Sequence, residues 1–262
     1  MSDKRTKKHF RSDGSSVWSR RNIDGPGVWV ACVKGKERQT VGEICDLFDS
    51  LAEELWPLEE EKSKDENEED NTHEDEDEDP EKAIAKELQK LKRPRRERRF
   101  ASCKIDSPCL VFISCKPPVD PVVLLEKHVN NVAQTGVTRT RSTLRLTPVS
   151  NSCDANIPEI ISLCKRIAVP AFQSDAEGEP KSYRYKIEIR IRNHSTVTRD
   201  EVIKAIAECI PPPHTVNLDN PDLFILVEIF KATCGISVVR DYYRLKKFNV
   251  IELSQAVHAK QD

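Results

Sequence analysis

The sequence predicts an α+β fold built from two units, on three observations. With one acidic insert set aside, the first half reads β-α-β-β-α-β. Tyr183–Arg192 (YRYKIEIRIR) alternates apolar and charged residues with the period of a half-buried strand. Leu223–Lys231 (LFILVEIFK) is apolar on both faces, as a central strand covered on both sides is.

In the first unit, Gly27–Val33 (GVWVACV) is a strand. Thr40 and Glu43 form a T-x-x-E capping box for a helix whose apolar face is Val41, Ile44, Leu47, Phe48, Leu51 and Leu55. That helix stops at Trp56–Pro57. An acidic insert over 57–79 has too little apolar surface to bury and is expected to be disordered. Asp79–Pro80 opens a short helix through Leu91. The strands Phe100–Ile105 and Cys109–Cys115 are joined by the turn Asp106–Ser107–Pro108. Asp120–Pro121 starts a helix with Val122, Leu125, Val129 and Val132 on one face, and Gly136 ends it. Thr143–Val149 is the fourth strand, with Leu144 and Leu146 opposite Arg145. This order is the ferredoxin-like arrangement, a four-stranded antiparallel sheet with two helices on one face. A long insert in one connection costs little, because loop-closure entropy grows slowly with length.

The second unit opens with a helix over Ile157–Ala168, with Ile160, Ile161, Cys164 and Ile167 inward. Pro170–Lys181 is a loop. After the strand Tyr183–Arg192, Thr198 and Glu201 form a second capping box. The helix they start runs to Ile210 with Val202, Ile203 and Ile206 inward, and Pro211–Pro213 stop it. A short strand over Thr215–Leu218, the central strand Leu223–Lys231 and a last strand over Ile236–Tyr243 complete a mixed unit. Three segments follow: a disordered basic tail over 1–26, a ferredoxin-like domain over 27–150 and a mixed α/β domain over 151–258. Each is small for an independent core, so the two domains are expected to share an interface.

The 262-residue chain carries a formal net charge of −2. Between Glu59 and Asp79 there are fourteen Asp/Glu and two Lys, a net of −12, so the rest of the chain carries +10. A cationic body of this kind favours polyanionic partners. No apolar run is long enough to cross a bilayer, and the N-terminus lacks the apolar centre of a secretory signal. The nine cysteines include no CxxC pair and sit mostly in apolar runs, which points to buried reduced thiols.

Catalytic motifs are absent. There is no G-x-x-x-x-G-K-[ST], G-x-G-x-x-G, H-E-x-x-H or G-x-S-x-G. The six histidines stand singly, and His128 belongs to an amphipathic helix. No cofactor and no metal site are expected.

The chemistry present is cationic. On the charged face of Tyr183–Arg192, Arg184, Lys186, Arg190 and Arg192 stand against one acid, Glu188, at a spacing of about 6.6 Å, which suits a phosphate backbone. Arg139, Arg141 and Arg145 cluster before and within the fourth strand. Arg199 starts a helix, Lys231 follows the central strand, and Arg240, Arg244, Lys246 and Lys247 follow the last strand near Tyr242 and Tyr243. Arginine grips phosphate through paired hydrogen bonds, and tyrosine stacks on unpaired bases. The bland alternative is that the charges only solvate the surface and the tyrosines pack the core. Lys92–Phe100 (KRPRRERRF) holds six Lys/Arg and suits an import signal, an RNA contact or a partner for the acidic insert beside it.

At Asn220–Glu252 the chain reads NPDLFILVEIFKATCGISVVRDYYRLKKFNVIE. This resembles the end of a THUMP domain, an RNA-binding unit of tRNA-modifying systems. The pattern NPD…VEI.K…GISVV.DY…K.FN is similar to that of the stand-alone THUMP adaptors of tRNA cytidine acetylation, and the likeness runs from Gly27 to Val257. The resemblance implies a ferredoxin-like domain followed by a THUMP domain. It implies binding of serine and leucine tRNAs, presented to a separate ATP-dependent RNA cytidine acetyltransferase for N4-acetylcytidine formation. In that reading the chain is a non-catalytic subunit with no small-molecule substrate and no membrane contact; the basic runs point to the nucleus or nucleolus, with the cytoplasm left open. Two alternatives remain, a self-sufficient THUMP-type tRNA-modifying enzyme and a protein-interaction scaffold.

Overall fold

A computed structural model describes residues 23–57, 98–103, 105, 107–173 and 182–259. The basic N-terminal tail up to residue 22, the acidic insert, the helix expected over 80–91 and most of the basic run 92–100 lie outside the described residues.

The first sheet is antiparallel. Its strands β1 (Gly27–Cys32), β2 (Phe100–Cys103), β3 (Leu110–Cys115) and β4 (Thr143–Val149) lie in the order β2-β3-β1-β4. With helices α1 (Glu37–Leu55) and α2 (Pro121–Thr135) on one face, this is the ferredoxin-like arrangement. Val28, Val30, Val111, Ile113 and Leu146 point at the helices, where they meet Ile44, Phe48, Leu51, Leu125 and Val129 in one core. Asp120 caps α2 by accepting from the Val122 amide at 2.7 Å, and Gly136 ends it in the left-handed region at φ 73°.

The capping box expected at Thr40 and Glu43 does not form. Helix α1 starts four residues earlier, at Glu37, after Lys36. Thr40 is buried, and its Oγ1 donates to Lys36 O at 2.9 Å. The Glu43 carboxylate reaches out to the Arg141 and Ser142 amides at 2.9 and 3.3 Å, pinning the loop before β4.

The second sheet follows as β5 (Asn151–Asp154), β6 (Arg184–Arg192), β7 (Thr215–Val216), β8 (Leu223–Phe230) and β9 (Thr233–Val239), in the order β5-β9-β8-β6-β7. Strand β6 runs parallel to β7 and β8, and β9 runs antiparallel to β8 and β5. Helices α3 (Ile157–Gln173) and α4 (Arg199–Cys209) cover one face, where Tyr185, Ile187, Ile225, Val227 and Ile236 meet Ile160, Cys164, Val202 and Ile206. The Thr198–Glu201 capping box forms as expected: the Thr198 amide donates to Glu201 Oε2 at 2.8 Å, and the Glu201 amide donates to Thr198 Oγ1 at 3.4 Å. Strand β8 is buried throughout, as a central strand should be.

Several boundaries and two elements differ from expectation. Helix α3 continues through Pro170 to Gln173, because Phe172 buries its ring against Tyr185 and His214, at 5.4 and 4.8 Å between centroids. The last strand starts at Thr233 and stops at Val239, since Asp241 turns left-handed at φ 54° and drops Tyr242 into the core. Strand β5 is too short and polar to announce itself. The chain then ends its described part in α5 (Val250–His258), capped by Asn249. Its Val250 and Leu253 join the core of the first unit, and Asn249 bridges Arg145 at the β4 edge.

Candidate nucleic-acid interface

The helix-free face of the first sheet packs on the second sheet. Trp29 stands 4.9 Å from Phe112 and 5.2 Å from Phe230, ring centre to ring centre, and Val149 closes the cluster. Ser237 Oγ donates to Pro148 O at 2.8 Å across the same junction. This contact orients the charged face of β6, whose alternation matches the expected parity. Tyr185, Ile187 and Ile189 are buried, while Lys186, Arg190 and Arg192 are half-buried; Arg190 and Arg192 face Trp29, Leu110 and Thr147 of the first unit, and Lys186 reaches the Leu218 carbonyl at 3.2 Å.

At the junction the parallel register sets Arg190 beside Glu228 of β8. Glu228 accepts from Arg190 Nη1 at 2.8 Å and from Arg192 Nη1 at 3.4 Å. Its side chain is only 6% exposed. Burial pushes its carboxyl up from the ordinary range, against the pull of Arg190, Arg192 and Arg145. Three guanidiniums thus surround one carboxylate, leaving at least two positive charges in excess. A cavity of about 80 Å³ lies among Arg145, Arg190 and Arg192, walled by Trp29, Leu110 and Thr147. Arg145 Nε is buried without a hydrogen-bond partner.

Arg145 also lines a second, more open cavity of about 350 Å³, with Tyr243, Lys246, Lys247 and Glu252. Two cations lie near Tyr243: Lys186 Nζ is 4.7 Å and Lys247 Nζ 5.0 Å from its ring centre. Its hydroxyl donates to Glu188, and Phe224 meets its ring edge-on at 4.8 Å. Burial and Glu188 together raise the Tyr243 pKa. Lys246, Lys247 and Phe248 are three consecutive left-handed residues, at φ 52°, 52° and 56°. Each such residue costs about 1–2 kcal/mol in an L-amino-acid chain. Phe248, fully buried and edge-on to Tyr242, holds the turn, together with a 2.7 Å bond from the Lys247 amide to Tyr242 O. Packing thus keeps this strained turn in place.

Of the thirteen cations that the sequence nominates, the junction gathers Arg145, Lys186, Arg190, Arg192, Lys246 and Lys247. Lys231 adjoins them, its amide donating to Arg192 O at 3.1 Å. The others are dispersed or engaged. Arg139 reaches toward Ser50 of α1 at 3.4 Å, and the loop of Arg141 is held by Glu43, both on the helix side of the first sheet. Arg184 is paired with Asp222 at 2.7 Å, and Arg244 with Asp241 at 2.7 Å. Arg199 caps the Ile189 carbonyl at 2.7 Å, and Arg240 lies over the Tyr183 ring at 5.5 Å. Glu228, Trp29 and Asp222 carry no local signal of these roles, since pairing between strands supplies it. Tyr183, Tyr185 and Tyr242 are core residues, whereas Tyr243 lines the cavity. Among the described residues, no group of side chains is arranged to hold a metal ion, and no helix is long and apolar enough to cross a membrane.

The sequence profile of the THUMP domain matches residues 154–239, from the end of β5 to the end of β9. An uncharacterized protein of Schizosaccharomyces pombe is 34% identical, over 87% of this chain and 75% of its own length. The chain belongs to the THUMP-domain protein family. The protein named tRNA acetyltransferase TAN1 in Saccharomyces cerevisiae is 29% identical, over 90% of this chain and 87% of its own. THUMP domain-containing protein 1 of Homo sapiens is 30% identical over 87% of this chain, which spans 63% of that protein. The matched THUMP stretch stops short of the left-handed turn and α5. The larger cavity is therefore built by the THUMP domain's C-terminal flank together with β4 of the first unit.

Proposed function

We propose that this protein binds tRNA in the cationic junction between its ferredoxin-like and THUMP units and holds it for acetylation by a separate ATP-dependent RNA cytidine acetyltransferase. The observation that carries this reading is the convergence of Arg145, Arg190, Arg192, Lys246 and Lys247 from both units on adjoining cavities, with Tyr243 between them. Fixed guanidinium and ammonium groups suit phosphates, and a half-exposed aromatic ring suits an unstacked base. The name of the budding-yeast relative supports tRNA and acetyl chemistry. The substrates proposed are serine and leucine tRNAs, the product is N4-acetylcytidine, and the setting is the nucleus or nucleolus, with the cytoplasm open.

The chain's own part is positioning. Among the described residues the histidines do not assemble with a nucleophile. His128 is buried in the α2 core, and burial, aided by Arg139, depresses its pKa to about 4. The word acetyltransferase in the same relative's name favours a second reading, in which this chain transfers the acetyl group itself.

Two measurements separate the readings. Anisotropy titrations of labelled tRNA with the full chain should give an affinity that falls with salt, at a log–log slope of about −4 to −5 for five phosphate contacts. Incubation with tRNA, acetyl-CoA and ATP should yield no acetylcytidine until the separate acetyltransferase is added. Product formed by the purified chain alone would establish the second reading, and absence of tRNA binding at low salt would end both.

A further inference from the structure

We infer that the smaller junction cavity is a site for a terminal phosphate monoester of RNA, with the attached nucleoside seated in the larger cavity against Tyr243. The inference rests on the RNA-binding reading above and names the part of the RNA that the site takes.

Three features point to a phosphate. Arg145, Arg190 and Arg192 line one face of the cavity. Glu228 stands behind Arg190 and Arg192 and is not among the groups lining it, so it fixes the two guanidiniums without filling the space in front of them. Arg145 Nε is buried with no partner, and such a group in a folded protein calls for an explanation. The Arg145 side chain lines both cavities and so stays open to an anion.

Size and charge point to a terminal group. A cavity of about 80 Å³ has room for a phosphate group. An internal phosphodiester carries one negative charge and needs room for chain on both sides. A terminal monoester carries nearly two charges at neutral pH and needs only one exit. Its charge matches the excess that three arginines leave over one carboxylate. Arg145 lines both cavities, and the larger one, of about 350 Å³, sets an aromatic ring beside Lys246 and Lys247 for the first nucleoside. In a tRNA the terminal phosphate is the 5′ one.

The test uses the full chain and two matched pairs of ligands. One pair is a short single-stranded RNA with a 5′-phosphate or a 5′-hydroxyl. The other is tRNA before and after phosphatase treatment. The phosphorylated member of each pair is expected to bind about tenfold tighter, and Arg145→Gln should remove that difference. Arg190→Lys keeps the charge beside Glu228 but loses the guanidinium fork, so it should fold and still shrink the advantage. Equal affinity within both pairs overturns the terminal-phosphate site while leaving tRNA binding intact. An advantage that survives both substitutions assigns it to general attraction and overturns the site as well. Failure of tRNA to bind in either form sinks the reading of the previous subsection instead, and the oligonucleotide pair still decides the phosphate site.

Discussion

Gly235 of β9 lies against Val149 of β4 so closely that a Cβ built on it would stand 2.7 Å from Val149 Cγ1 and 2.9 Å from Cγ2. The two sheets approach here at a distance that only a residue without a side chain permits. Gly235→Ala is expected to destabilise the fold by about 1–3 kcal/mol through overpacking. Urea denaturation measures this. Because the same contact sets the spacing of the arginines, tRNA affinity should drop with stability, and an unchanged midpoint would show that the junction yields freely.

Glu228 is a buried carboxylate among three guanidiniums. Glu228→Ala removes the one anion that Arg190 and Arg192 bind and leaves their charges uncompensated at the junction. Breaking a buried pair in this way costs about 3–5 kcal/mol, reduced here because the arginine side chains are about one-third exposed, at 31% and 32%. A loss of about 2 kcal/mol is expected, partly restored by added phosphate. Thermal unfolding with and without phosphate checks both parts.

His128 gives the protein an acid sensitivity. Its folded pKa is depressed to about 4, while the unfolded chain titrates near 6.5. Below pH 6.5 the unfolded state gains a proton that the folded state refuses. Stability therefore falls as pH drops from 6.5 to 4, by up to about 3 kcal/mol. His128→Leu should flatten that part of the stability–pH curve. A wild-type curve that is already flat between these values would show that the buried ring takes up its proton without penalty.

Lys247 sits at φ 52° and ψ 36°, a conformation that suits glycine. Lys247→Gly should leave the protein at least as stable as the parent. It should also weaken tRNA binding several-fold and lower the salt slope by about one contact. Stability and affinity moving in opposite directions would identify the turn as strained for binding. A parallel loss of both would identify it as a structural device.

Parity along one strand was legible in the sequence, and partnership between strands was not. Alternation over Tyr183–Arg192 assigns Arg190 and Arg192 to one face, because the period of two is local. That face looks strongly cationic until Glu228 of β8 meets Arg190 and Asp222, just before β8, meets Arg184, each 38 residues further along the chain. Register between parallel strands has no signature in either segment alone. The βαββαβ order was readable from caps and apolar spacing, as Asp120 and Gly136 illustrate. The box at Thr40 failed because Glu43 had a distant use, holding the loop before β4. Whether a polar side chain caps its own helix or reaches elsewhere is decided by tertiary structure.

Helix α5 packs beside α2, where Phe248, Val250 and Leu253 complete an interior that begins at Val28. During synthesis, that interior stays open until α5 has left the ribosome. The opening strands must wait, with apolar surface uncovered, for residues made more than two hundred positions later. A truncation that spares every cation but removes α5 should therefore yield an insoluble product rather than a weaker binder.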